Sequence, residues 1–188
     1  MGITSKPSPA THRAFRLPIP FVAKADVFDL ASVAEVLADA DVEVNALGDK
    51  QPETVNAFYR DSTKALIEGV RRAGNKRLLT VGGAGSLEVA PGVQLADTLD
   101  ESVGYRHIPL AQRDQYQLLR ESSIDWSYFS PAAMLEPGKR TEKYRLGTDQ
   151  LLTNEQGESY ISIPDYAVAL LDEIENPQFH RRRFTAVS

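Results

Sequence analysis

Two short runs in this chain have residue types and spacing suited to chemistry: Asn45-Ala46-Leu47-Gly48 and Val81-Gly82-Gly83-Ala84-Gly85-Ser86. Each follows a β-rich stretch, so each falls at the C-terminal end of a strand, where ligands collect in open α/β sheets. Gly82 and Gly83 would let a flat ring or a phosphate approach the backbone, but glycine also simply ends strands, and residue type alone leaves both readings open. Hydrolysis is the competing chemistry. Gly83-Ala84-Gly85-Ser86-Leu87 has the outline of a nucleophile elbow yet departs from Gly-x-Ser-x-Gly. The histidines that could complete a triad are His107 and His180, the latter amid Arg181, Arg182 and Arg183. With His12 they show no i, i+4 pairing, so no metal site is predicted.

The elements that must position these runs alternate between β-rich stretches and helical periods, the pattern of a mainly parallel α/β sheet. Phe21 to Val27 reads as a strand, and Asp29 caps a helix with Leu30, Val33, Val36 and Leu37 on one face. Val42 to Leu47 is the next strand. A helix from Glu53 to Ala73 carries Val55, Phe58, Thr63, Ala65, Leu66 and Val70 and stops at Gly74. Arg77 to Val81 is a strand, and residues 87–105 read as a long surface loop. Pro109 to Ser122 forms a helix with a thin stripe at Leu110, Arg113/Asp114 and Gln117/Leu118. Ile124 to Phe129 is a strand, and short strands and turns follow between Gly138 and Gly157. Ser162 and Asp165 open a last helix bearing Tyr166, Ala169, Leu170 and Ile174, and Arg183 to Val187 closes the sheet.

At 188 residues and 42% hydrophobic, the chain can bury one core. A net charge of -5 argues against nucleic acid or an anionic membrane as partner. The chain has no cysteine, which removes thiolate chemistry and disulfides and suits a reducing compartment, so a cytoplasmic location is expected. The longest wholly apolar run, Ala167 to Leu171, is far short of the roughly 20 residues a membrane span needs. Residues 1–25 hold Lys6, Arg13, Arg16 and Lys24 with no acid, a balance of +4 against -9 for the rest. Pro7, Pro9, Pro18 and Pro20 would break the amphipathic helix of a transit peptide.

Asp26-Val27-x-Asp29, Asp41-Val42-x-Val44-Asn45-Ala46-Leu47-Gly48 and Arg60-Asp61-Ser62-Thr63-Lys64-Ala65-Leu66-Ile67 fall in one order along the chain. Lys76-Arg77-Leu78-Leu79-x-Val81-Gly82-Gly83-Ala84-Gly85-Ser86-Leu87, Asp125-Trp126-x-x-x-Ser130-Pro131-Ala132 and Gly147-x-Asp149-Gln150-Leu151-Leu152 continue it. This succession resembles the atypical short-chain dehydrogenases, the NmrA-like or NAD(P)H-binding families, over residues 21–188. The resemblance implies a Rossmann-like, mainly parallel sheet with helices on both faces. It implies NAD or NADP as cofactor, with Asp26 and Val27 by the adenine and Ala46, Leu47 and Gly48 by the ribose and phosphates. Gly82 and Gly83 would meet the nicotinamide end, Pro131 and Ala132 would close its pocket, and Ser86 is the polar group placed near it as a catalytic candidate.

Two departures shape the expected function. The family opens with a strand and a Gly-x-x-Gly-x-x-Gly turn whose helix N-terminus holds the pyrophosphate. A βαβ unit takes about 30 residues or more, whereas only 20 precede Phe21, four of them proline. The first two strands and the glycine-rich loop are therefore expected to be missing, with residues 1–20 irregular and 21–188 a single domain. The Tyr-x-x-x-Lys pair of reductive members is also lacking, since Pro109 and Arg113 stand near its place and Tyr105 and Tyr116 have no lysine four residues on. The expectation is an NAD(P)H-dependent oxidoreductase-like protein, acting on a small carbonyl, quinone-like or flavin-like acceptor, with impaired cofactor binding. The alternatives are a non-enzymatic dinucleotide sensor or interaction protein, and an incomplete gene product. In the last case an exposed edge near Val44 is expected to make the protein a homo-oligomer or marginally stable.

Overall fold

The computed structural model describes residues 22–188. Its strands are β1 (Val42–Asn45), β2 (Arg77–Val81), β3 (Glu88–Ala90), β4 (Val93–Gln94), β5 (Trp126–Ser130), β6 (Met134–Glu136), β7 (Arg145–Gly147), β8 (Tyr160–Ser162) and β9 (Arg182–Val187). The α-helices are α1 (Leu30–Leu37), α2 (Val55–Arg72), α3 (His107–Glu121) and α4 (Ile163–Glu175). Five strands form one sheet in the order β1-β2-β5-β9-β7. The first four run parallel and β7 lies antiparallel against β9. This is the mainly parallel α/β sheet that the alternating pattern predicted.

Period-2 alternation divides the sheet into two cores. Leu78, Trp126 and Tyr128 pack with Val33 and Leu37 of α1, Leu66 and Val70 of α2 and Leu119 of α3. Leu79, Phe129, Phe184 and Ala186 face the other way onto Tyr166 and Ala169 of α4. There Phe129 lies between Tyr166 and Phe184, with ring centroids 3.9 and 4.1 Å away. A buried Arg77–Glu173 ion pair joins β2 to α4, and Arg77 also donates to the Ser127 hydroxyl at 2.8 Å.

Several elements depart from expectation. Val22 to Val27 forms no strand, and Phe21 lies outside the described residues. β1 pairs only with β2, and residues 23–27 line the groove along its open edge without pairing to it. The backbone instead turns locally, the Asp29 amide donating to Asp26 O at 3.0 Å and the Phe28 amide to Asp26 Oδ1 at 3.0 Å. Asp29 caps α1 as predicted, accepting from Ala31 and Ser32. The expected loop at 87–105 contains the β3–β4 hairpin and a 3-10 turn over Leu95–Thr98. Helix phases also shift: α2 buries Tyr59 and Ser62 where Phe58 was expected, and α3 buries Ala111, Gln115 and Leu119. Ser162 caps α4 by accepting from the Asp165 amide at 3.1 Å, while the Asp165 carboxylate is used by Thr141 and Glu142 and does not complete a box.

Candidate functional site

The parallel strands all end on one side of the sheet, which brings Asn45-Ala46-Leu47-Gly48, Val81-Gly82-Gly83 and Ser130-Pro131-Ala132 to a common rim. A Cβ on Gly82 would lie 2.2 Å from the Tyr128 ring, and one on Gly83 would lie 2.0 Å from the Gln112 side-chain oxygen. The buried Tyr128 ring cannot give way, so position 82 demands glycine, whereas at 83 a Cβ would displace the Gln112 amide. The Tyr128 hydroxyl donates to Gln112 O at 2.9 Å and accepts the Gly83 amide at 3.2 Å. Burial pushes this phenol well above its ordinary pKa, so it stays neutral.

The same packing links the two glycine-bearing runs. A Cβ on Gly48 would stand 3.2 Å from the Tyr59 hydroxyl, which accepts from Gln112 Nε2 at 3.3 Å. Gly48 on the β1 end and Gly83 on the β2 end thus close onto one Tyr59–Gln112–Tyr128 group supplied by α2, α3 and β5. Burial raises the Tyr59 pKa against the lowering effect of the Gln112 bond, so its hydroxyl is a neutral donor. None of these three residues was picked from the sequence. Tyr59 was hidden by the helix-phase error, and nothing in the order of residues ties Gln112 to a glycine 29 positions away.

The other predicted positions divide. Asp26, Val27, Ala46 and Leu47 line one open groove of about 910 Å³ along the outer edge of β1, together with Val33, Val36 and Leu37 of α1. Gly48, Gly82, Gly83, Pro131 and Ala132 do not line that groove. Pro131 and Ala132 are buried directly after β5, as a wall beside the glycines requires. Ser86 is 1% exposed, and Arg183 Nη1 donates to its hydroxyl at 2.8 Å and to its carbonyl at 2.7 Å. Its oxygen is occupied in holding the turn after β2.

The fit to a dinucleotide is uneven along the rim. Gly82, Gly83 and Ala132 are buried at the strand ends, and the side of each glycine where a Cβ would stand is filled by Tyr128 or Gln112. A helix N-terminus binds anions only when its amides are free, which excludes α1 and α4 as a cradle for the pyrophosphate. Asp29 caps α1, and Asp165 lies in the first turn of α4. Before α2, the Asp49 carboxylate accepts the Gln51 amide at 3.0 Å and is held below the usual carboxylate range, first by the Thr54 hydroxyl and then by that amide. That carboxylate sits in the turn ahead of α2 and not on its first-turn amides, since the Thr54 N-cap carries no side-chain capping bond.

Against known proteins, a model of a family described as NAD(P)H-binding matches residues 11–177. The uncharacterized protein YwnB of Bacillus subtilis (strain 168) is 40% identical over 171 residues, which are 89% of this chain and 78% of that protein. A Burkholderia pseudomallei structure, described as an exported protein, superposes with a TM-score of 0.77 at 47% identity, covering 87% of this chain and 79% of its own. A Streptococcus pneumoniae TIGR4 structure with a proposed NADH-flavin reductase activity gives 0.80 at 32% identity, covering 88% and 79%. No helix among the described residues is long and apolar enough to cross a membrane.

Proposed function

The chain belongs to the NAD(P)H-binding family, and on that premise we propose an oxidoreductase-like protein that serves a small carbonyl, quinone-like or flavin-like acceptor and holds its dinucleotide weakly. A bound NAD(P)H would supply the hydride, and the protein would orient the reactants. In this reading Gly82 and Gly83 allow close approach of a planar ring, Pro131 and Ala132 exclude water from one side, and Asp26, Val27, Ala46 and Leu47 meet the adenosine half along the β1 edge. The relative with a proposed NADH-flavin reductase activity supports a planar redox acceptor. The cysteine-free chain is compatible with the cytoplasm as its compartment.

One observation carries the weak-binding part: the Asp49 carboxylate, held ionised by Thr54 and the Gln51 amide, stands in the turn ahead of α2, where it would repel a pyrophosphate. Calorimetric titration with NADPH and NADH is expected to give no saturable binding in the micromolar range, and micromolar binding would overturn this part. The second reading, a dinucleotide sensor without turnover, is favoured by the way Ser86 is committed to Arg183 and Tyr128 to Gln112. Cofactor oxidation measured over a carbonyl, quinone and flavin panel separates the two readings, since only the enzyme gives acceptor-dependent loss of NAD(P)H absorbance.

A further inference from the structure

A second cavity, of about 560 Å³, opens at the other end of the strands. Trp126 is the first residue of β5 and Arg182 the first of β9, whereas the candidate cofactor rim begins beyond Ser130. Four strand steps at roughly 3.3 Å put about 13 Å of sheet between the two. The cavity walls carry Arg120, Arg181, Arg182 and Arg183 against a single carboxylate, Asp149. In a chain of net charge -5 this is a local reversal of sign.

The cations differ in what they have left to offer. Arg183 is 5% exposed and committed, with Nη2 donating to Asp149 Oδ1 at 2.7 Å and Nη1 to Ser86. This pairing also neutralises the Asp149 charge. Arg181 donates one bond to Ser122 O at 3.2 Å, and Arg120 one to Gln117 at 3.3 Å, so each keeps unused N–H groups. Arg182 is exposed and makes no side-chain hydrogen bond or ion pair among the described residues. A second observation is independent of the arginines. Trp126, 3% exposed, lines the same cavity, and its indole N–H has no partner. The nitrogen is itself sealed from solvent, so the indole lies behind the arginines, and its fluorescence registers what fills the cleft without a bond to it.

We propose that this cleft between α3 and the first residues of β5 and β9 binds a phosphate group, carried on a small phosphate monoester. Arg120, Arg181 and Arg182 supply the charge and the free N–H groups, and the Arg183–Asp149 pair closes one wall. The guanidinium fork matches paired oxygens, which disfavours a halide, and three cations favour the doubly charged phosphate over a monocarboxylate. The volume leaves room for the organic part of an ester. The site does not depend on dinucleotide binding, because it lies at the opposite end of the sheet.

Trp126 is the chain's one tryptophan, so its fluorescence reports on this cleft alone. The test is titration of the full chain with phenyl phosphate, glycerol phosphate, inorganic phosphate and sodium acetate at constant ionic strength. A saturable change is expected with the phosphates and none with acetate. Esters that bind more tightly than inorganic phosphate support the monoester, whereas equal binding would overturn it in favour of the free ion. Arg182→Glu is expected to weaken binding by at least about tenfold. Its melting temperature should be unchanged, since Arg182 has no partner to lose. Absence of a saturable response, an equal response to acetate, or wild-type affinity in Arg182→Glu would refute the site. Calorimetry with phenyl phosphate supplies a readout that does not rely on fluorescence, and absence of binding heat there would also refute the site.

Discussion

Tyr128→Phe deletes one oxygen at the centre of the candidate site and leaves the ring that underlies Gly82 in place. The Gln112 carbonyl lies inside α3 and keeps its helical partner. The Gly83 amide, whose bond to the phenol is 3.2 Å, has no such reserve and becomes a buried, unpaired donor. That costs about 1–3 kcal/mol. For a protein of this size, each kcal/mol lowers the melting temperature by about 2–4 °C, so a drop of about 2–12 °C is expected. Because burial keeps the phenol neutral, the drop should be the same at pH 6 and pH 9. Amide hydrogen exchange adds a local readout: Gly83 should be protected in the wild type and exchange much faster in the variant. Tyr105→Phe, at a ring that is 60% exposed, is the control. A Tyr128→Phe melting temperature within about 1 °C of wild type, with Gly83 still protected, would refute the claim that this hydroxyl holds the loop.

Three further outcomes follow from the same structure. Glu173→Ala strands the buried Arg77 guanidinium and removes the acceptor of the Gln178 and Phe179 amides; urea unfolding should show a loss of about 3–5 kcal/mol, and a loss near zero would contradict the pairing. Burial raises the Glu43 pKa from 4.5 to about 7, so the folded state holds a proton that the unfolded state has released across that window. Wild-type stability should then fall as pH rises from 4.5 to 7, and Glu43→Gln should match wild type near pH 4 and exceed it above pH 7; a pH-independent difference in thermal melts would refute this. The outer edge of β1 has no strand neighbour among the described residues, and Val44 and Leu47 beside it are 40% and 43% exposed. Edge pairing between two copies should therefore give a concentration-dependent mass in sedimentation, which Val44→Lys abolishes; a wild-type monomer at every concentration would exclude it.

Sheet, helices and rim were largely legible, because a parallel strand buried on both faces writes itself as an apolar run. Arg77 to Val81 matched its strand residue for residue, and Ser162 opened its helix as predicted. What failed was phase and company. Phe58 and Tyr59 are both apolar enough to face a core, and only the packing of α2 on α3 chose Tyr59. Val22 to Val27 has strand residues but no strand: it lies beside the open β1 edge without pairing, and Asp26 turns the backbone onto Phe28 and Asp29, so propensity alone did not make a strand.

The sequence by itself determined the fold class, the positions of the glycines at the strand ends and the family, because each is carried by local pattern or by residue order. Only the tertiary structure decided what those glycines touch. Tyr59, Gln112 and Tyr128 meet at Gly48, Gly82 and Gly83 from three elements far apart in the chain. It also decided that Ser86 serves Arg183, and that four arginines with an unpaired tryptophan share one cavity at the far end of the sheet. Contacts of that kind are set by which strands become neighbours and how helices rotate against them, and no local run of residues encodes either.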